Sequence, residues 1–307
     1  MSASTEPPTS LVVEAAGLTK RYGRTMALDG LDLEVRRGEV FALLGANGAG
    51  KTTAMKILLG LTAPSGGGAR LLGLPLGDPS ARRRIGYLPE LFRYQGWLDG
   101  REVLRLHAEL AGLPREGWNA SIDEALATTD LRARADDRVA TYSKGMQQRL
   151  GLAVALLGTP ELVVLDEPST ALDPVGRHEL RATIRGLRDR GTTVILNSHQ
   201  LSEVEQVCDR VAIIHRGRML VVGSLETLLS PGGLRVRATG LDELTMESLR
   251  RFGELESDGP WLVIRAAGEE DLPAIVEIAV HAGARVYGVE VLHPSLEDRF
   301  RQLLESA

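Results

Sequence analysis

Residues Gly45 to Thr53 read Gly-Ala-Asn-Gly-Ala-Gly-Lys-Thr-Thr, a glycine-rich run closing on a lysine and two hydroxyls. This is the spacing G-x-x-x-x-G-K-[ST], which cradles phosphate. Gly45, Gly48 and Gly50 let the backbone wrap closely, so that N–H groups of Ala46, Asn47, Ala49 and their neighbours can point at an anion. Lys51 is placed to reach the outer phosphates of a triphosphate, and the Thr52 hydroxyl to hold Mg²⁺, with Thr53 following at the helix start. The chain holds four lysines against 32 arginines, so a lysine falling here by accident is improbable.

A second group of chemistry-bearing residues lies downstream. Leu162-Val163-Val164-Leu165 is an apolar run ending in Asp166 and Glu167. Asp166 at the strand tip suits Mg²⁺, held through water, and Glu167 suits a general base for an attacking water. Paired acids at a strand end are often only solvated; a phosphate loop in the same chain favours the chemical reading. Ahead of that strand, Ser143 and Gly145 open an apolar helix and form a second candidate anion site. An ordinary capped helix has the same spelling.

Elements must position these groups. Val40 to Leu44 reads as a strand entering the glycine loop, and Thr53 to Leu59 as the helix leaving it. Leu11–Val13 and Leu31–Val35 read as short strands, the latter alternating with period two. From Gly100 to Leu131 the pattern is helical, with Val103, Leu104, Leu106, Leu110 and Leu113 near one face. Leu162–Leu165 is a fully apolar strand and Thr192–Leu196 another apolar strand, separated by a helix over His178–Arg190, which predicts a parallel sheet covered on both faces. Beyond a turn at Ser230-Pro231-Gly232-Gly233 the order becomes β-α-β-β-α-β, the split arrangement of a ferredoxin-like domain, followed by a last helix over 295–305. That tail carries 14 acidic and 8 basic residues, more negative charge than the chain's total of −5, and shows no binding chemistry of its own.

These segments, taken in order, resemble the ATP-binding-cassette ATPases. Tyr142-Ser143-Lys144-Gly145-Met146-Gln147 is similar to their Ser-Gly-Gly-Gln signature, Ser169-Thr170-Ala171-Leu172-Asp173 to their D-loop, and Ser198-His199 to the strand end that keeps a switch histidine. Tyr22 matches the aromatic that stacks on adenine, and Ile85-Gly86-Tyr87-Leu88-Pro89-Glu90 matches a segment that usually ends in glutamine. The resemblance implies that His199 contacts the γ-phosphate and holds Glu167 and the water in line, making Glu167 and His199 the catalytic pair. It implies that Ser143, Lys144, Gly145, Met146 and Gln147 touch ATP held by a second nucleotide-binding domain, as a homodimer or heterodimer. Ser169, Ala171, Leu172 and Asp173 form the D-loop. Thr52 and Asp166 would bind Mg²⁺, with Glu90 a further candidate. Two departures stand out: Glu90 replaces the glutamine, bringing charge and losing a donor, and Lys144 and Met146 replace a glycine and a glutamine.

The implied architecture is an α/β P-loop nucleotide-binding domain over 11–230, a mixed-sheet core with a helical subdomain at about 91–158, preceded by a disordered tail over 1–10. A small α+β ferredoxin-like domain over 231–307, regulatory or docking in role, completes it. His293-Pro294-Ser295-Leu296-Glu297-Asp298-Arg299-Phe300 resembles a stretch near the end of drug-resistance-type exporter ATPases, though Ser295 with Asp298 is also a plain capping box. That branch implies ATP hydrolysis with Mg²⁺, coupled to a separate integral-membrane permease docked on the helical stretch around 91–113. Its location would be cytoplasmic, peripheral at the inner face of the membrane. Nowhere do 18 apolar residues run together, so a pore would belong to another polypeptide.

Composition bounds the alternatives. The chain has 307 residues, 43% apolar and 25% charged, with one cysteine, Cys208, which excludes an intrachain disulfide and cysteine-rich zinc sites. A formal charge of −5 argues against nucleic-acid binding by global charge. A soluble cassette ATPase without a transport role, and a nucleotide-gated regulatory module, are the rival readings.

Overall fold

The computed structural model describes residues 10–230, 232–292 and 294–305. They divide into two compact units that part between Ser224 and Leu225, slightly ahead of the turn at Ser230–Gly233. Met1–Thr9 of the expected tail, Pro231 of that turn and His293 of the C-terminal motif lie outside the described residues.

The first unit runs β1 (Leu11–Tyr22), β2 (Thr25–Arg36), β3 (Val40–Leu44), α1 (Lys51–Leu58), β4 (Gly66–Leu71), β5 (Leu74–Pro75), α2 (Pro79–Arg82) and β6 (Ile85–Leu88). It continues through α3 (Gly100–Leu110), α4 (Trp118–Thr128), α5 (Lys144–Ala155), β7 (Leu162–Asp166), α6 (Pro174–Asp189), β8 (Thr193–Asn197), α7 (Leu201–Val207), β9 (Arg210–His215) and β10 (Arg218–Ser224). One sheet has the order β10-β9-β3-β8-β7-β6. Its strands β9, β3, β8, β7 and β6 are parallel, and β10 closes it antiparallel. Every residue of β3, β7 and β8 is buried, as the continuous apolar runs predict for strands covered on both faces.

A second, antiparallel sheet, β2-β1-β4-β5, was not anticipated as a separate layer. Its strands are far longer than Leu11–Val13 and Leu31–Val35, because the β1–β2 register shifts at Ala15/Leu18 and again at Leu18/Lys20. Each irregularity breaks the period-two pattern by which a long strand is read. Val13, Leu18, Leu31 and Leu33 of this sheet join Phe41, Leu43, Ile57 and Ile195 in one buried cluster, so the two sheets and α1 share a core.

The helical stretch starts with a reciprocal cap: Asp99 Oδ1 accepts from the Glu102 N–H at 2.7 Å, and Glu102 Oε2 accepts from the Asp99 N–H at 2.9 Å. Here α3 buries Val103, Leu104 and Ala108, whereas Leu110, expected on the same face, is 72% exposed. Further along, Gly86 in β6 lies under the end of α5, where an added Cβ would stand 1.8 Å from Ala155 O. The obstruction is backbone, so Gly86→Ala should cost about 1–3 kcal/mol by overpacking and lower the melting temperature by several degrees. An unchanged calorimetric midpoint would show that the two elements can separate freely.

The second unit contains α8 (Leu225–Leu228), β11 (Gly233–Thr239), α9 (Glu243–Leu249), β12 (Leu255–Asp258), β13 (Trp261–Arg265), α10 (Leu272–His281), β14 (Arg285–Leu292) and α11 (Leu296–Glu305). Its sheet order is β12-β13-β11-β14, antiparallel at each pairing, which is the ferredoxin-like arrangement of the expected β-α-β-β-α-β order. Leu234, Val236, Leu249, Ile264 and Ile275 form its core. At the start of α11, Ser295 Oγ accepts from the Asp298 N–H, and Asp298 Oδ2 from the Ser295 N–H, each at 3.1 Å. Among the described residues, no helix is long and apolar enough to cross a membrane.

Candidate nucleotide-binding site

The buried strand β3 delivers the chain into the glycine loop against other backbone. A Cβ on Gly45 would lie 2.4 Å from Ile214 O, and one on Gly50 2.6 Å from Ala27 O. Gly50 also has φ +113°, which side chains rarely adopt. Helix α1 therefore begins at Lys51 with no side-chain cap, leaving N–H groups of its first turn for an anion. Asn47 to Thr53, with Thr25, Met26 and Ala27, line an open cleft.

Lys51 is 8% exposed and bridges the loop, its Nζ donating to Gly45 O at 2.7 Å and Ala46 O at 3.2 Å. Burial lowers its pKa, against the opposing pull of the Glu167, Asp166 and Glu90 carboxylates. These four groups, separated by up to 116 positions in the chain, thus share one electrostatic neighbourhood. Tyr22 stands at the end of the β1–β2 hairpin, paired with Thr25 of the cleft wall. It is 48% exposed, with Lys20 Nζ 4.9 Å from its ring centroid.

Strand β7 ends at Asp166, which is 3% exposed. Burial raises its pKa, with Glu90 acting in the same direction and the Asn197 hydrogen bond and Lys51 opposing. Glu167 turns out of the strand at φ +51°, and its N–H donates to Asn197 O at 2.8 Å. A glutamate in the left-handed region is strained, and such strain persists where the surroundings over-determine the position. The turn sets Glu167 Oε2 2.7 Å from Nδ1 of His199, just beyond β8. A buried carboxylate oriented by an imidazole can take a proton from water, while the exposed imidazole remains free to meet a phosphate.

The other expected residues fall in two places. Ser143 caps α5, its Oγ accepting from the Met146 N–H at 3.2 Å, and Gln147 Nε2 donates to Tyr142 O at 3.3 Å. Ser143 and Lys144 are exposed, Gly145 and Met146 half-buried, and none of them lines the Lys51 cleft. After β7, Ser169 and Leu172 are buried and Ala171 is exposed. Asp173 caps α6 by accepting from the Gly176 N–H at 2.7 Å, so its carboxylate has a structural task.

Oxygen donors dominate this end of the sheet: the Thr52 hydroxyl lines the cleft beside Lys51, and the carboxylates of Asp166, Glu167 and Glu90 act on the Lys51 ammonium. Asn197 Oδ1 is buried beside them with no hydrogen-bond partner among the described residues. An excess of carboxylates and hard oxygen donors fits Mg²⁺. Asn197 was missed from the sequence. Its signal was its place at the carboxyl end of an apolar strand, directly before Ser198-His199, where parallel sheets hold ligands.

A family model described as ABC transporter matches residues 28–170. The bacitracin transport ATP-binding protein of Bacillus licheniformis is 40% identical over 96% of this chain and 98% of its own length. A Nod factor export ATP-binding protein of a Rhizobium species is 36% identical over 95% of this chain and 97% of its own. Among solved structures, an ATP-binding subunit of an ABC transporter superposes with a TM-score of 0.65 at 33% identity, covering 71% of this chain and 91% of that one.

Proposed function

The chain belongs to the ABC transporter family of ATP-binding, ATP-hydrolysing proteins, and from that premise we propose that it is the motor subunit of an exporter whose permease is a separate polypeptide. The Glu167–His199 pair, 2.7 Å apart beside a buried Lys51, carries the reading, because it equips the site for hydrolysis as well as binding. Relatives of matching length named for bacitracin transport and Nod factor export support the exporter assignment.

In this mechanism the N–H groups of Gly45 to Thr53 and the Lys51 ammonium bind the phosphates, and Tyr22 stacks on the base. Asp166, Thr52 and, at the position of the usual glutamine, Glu90 would hold Mg²⁺, which when bound offsets charge on the β- and γ-phosphate oxygens. Glu167 takes the proton of the attacking water. His199 orients Glu167 through Nδ1 and meets the γ-phosphate through its exposed edge. The cleft around Lys51 is half of a site, since Ser143 to Gln147 stand apart from it. A second nucleotide domain supplies that group to the same ATP, with Lys144 adding positive charge and the D-loop at Ser169–Asp173 at the seam. Closure of the pair around ATP is then the stroke.

The stroke passes to the permease through the segment after Glu90. Leu91, Trp97 and Leu110 are 87%, 72% and 72% exposed there, an apolar outlay that a partner would cover. The assignment of 11–230 as the ATPase domain, 91–158 as its helical part and 231–307 as a regulatory or docking domain belongs to this proposal. So does a cytoplasmic position at the inner membrane face, without nucleic acid. The test is to look for a multi-span membrane protein encoded by a neighbouring gene and to coexpress it with this chain. Copurification in detergent, and ATP-driven extrusion from vesicles that Glu167→Gln abolishes, are expected. Full ATP turnover with no such partner retained would overturn the exporter reading.

A further inference from the structure

Asn197 ends β8 opposite Asp166, the two being register partners on adjacent parallel strands. It is 3% exposed and reaches the ends of β7 by two bonds of different kinds. Its side-chain Nδ2 donates to Asp166 Oδ1, and its main-chain oxygen accepts from the Glu167 N–H at 2.8 Å. The first bond depends on the amide; the second would survive almost any side chain. Oδ1 of the same amide is buried without a hydrogen-bond partner among the described residues.

The chemistry of the partner matters. A lysine or arginine against Asp166 would orient the carboxylate but also neutralise it. A neutral amide holds the carboxylate plane and leaves its charge available, as outer-shell donors do around metal ligands. Buried acceptors are rarely left unpaired, so the orphaned Oδ1 calls for a donor at this spot. Water of a metal's hydration shell supplies one, because Mg²⁺ keeps several waters when it binds few carboxylates.

We propose that Asn197 is a positioning residue for the divalent cation: Nδ2 fixes Asp166 Oδ1 so that the other carboxylate oxygen serves the metal, and Oδ1 accepts from a metal-bound water. The main-chain carbonyl separately pins Glu167 in its left-handed turn. Metal binding and base placement therefore diverge at this one residue, and side-chain replacement affects the first alone. This inference rests on the ATPase reading above and adds to it the residue that tunes the metal.

The experiment uses the full chain carrying Glu167→Gln, so that ATP persists, and titrates Mn²⁺ in the presence of ATP by the resonance signal of the free ion. Replacing Asn197 by leucine, near in size, should weaken Mn²⁺ binding about tenfold to a hundredfold, the usual cost of losing an outer-shell partner. ATP affinity in EDTA should remain that of the parent, a readout that general damage to the fold would not spare. Asn197→Ala removes the same amide with less bulk and serves if the leucine variant does not fold. Mn²⁺ affinity equal to the parent in a folded variant of either kind overturns the proposal. A parent that binds ATP with no response to Mn²⁺ sinks the ATPase reading itself, so the two failures are distinguishable.

Discussion

ATP turnover falls by about 10²–10⁴-fold in Glu167→Gln while ATP affinity stays near wild type. The amide matches the carboxylate in size, and the turn that places it is held by main chain, with the residue 167 N–H donating to Asn197 O at 2.8 Å. The glutamine oxygen can still accept from His199 Nδ1, so the imidazole keeps its orientation. What disappears is the basic oxygen to which the proposed mechanism assigns the proton of the attacking water. In the proposed mechanism the phosphate contacts come from the loop at Gly45–Thr53 and are untouched, so ATP should remain bound and the proposed ATP-held pair of nucleotide domains should accumulate. Phosphate release and light scattering with ATP measure both. Turnover within a factor of two of wild type would remove Glu167 as the base.

Lys51→Ala acts one step earlier, on binding. A hydrogen bond to a charged group contributes about 1.5–3 kcal/mol, so losing the ammonium should weaken ATP binding about 10- to 100-fold. The loss is compounded because Lys51 Nζ also ties the loop, donating to Gly45 O at 2.7 Å and Ala46 O at 3.2 Å. Burial disfavours the bare ammonium, and the triphosphate adds negative charge where the nearby carboxylates already oppose its loss. Calorimetric titration with ATP checks the affinity, and a melting curve without nucleotide separates loop loosening from lost contact. A dissociation constant matching wild type would end the phosphate-loop assignment. Arginine should not rescue the variant, since a planar guanidinium cannot occupy the narrow space of a compact ammonium.

Motifs built from neighbouring residues were legible at once. The glycine loop is one continuous turn, so its backbone N–H groups, the Lys51 ammonium and the Thr52 hydroxyl come together by sequence neighbourhood alone. The cap at Ser295–Asp298 closes over three residues, and spelling alone predicts it. The continuous apolar runs within β7 and β8 revealed a covered parallel sheet for the same reason, because burial on both faces leaves no alternation to decode. The antiparallel sheet was obscured by register shifts within β1, and the reach of the α3 apolar face was overestimated at Leu110.

The sequence by itself determined which groups are present and the order in which they come: phosphate loop, signature-like helix start, acidic strand end, D-loop and histidine. Tertiary structure decided which of them meet. Strand order in the parallel sheet brings β8 beside β7, and only that adjacency joins Glu167 to His199 32 positions away and Asp166 to Asn197 31 positions away. No local propensity encodes such pairings, because they follow from sheet register, a property of the closed core rather than of either segment.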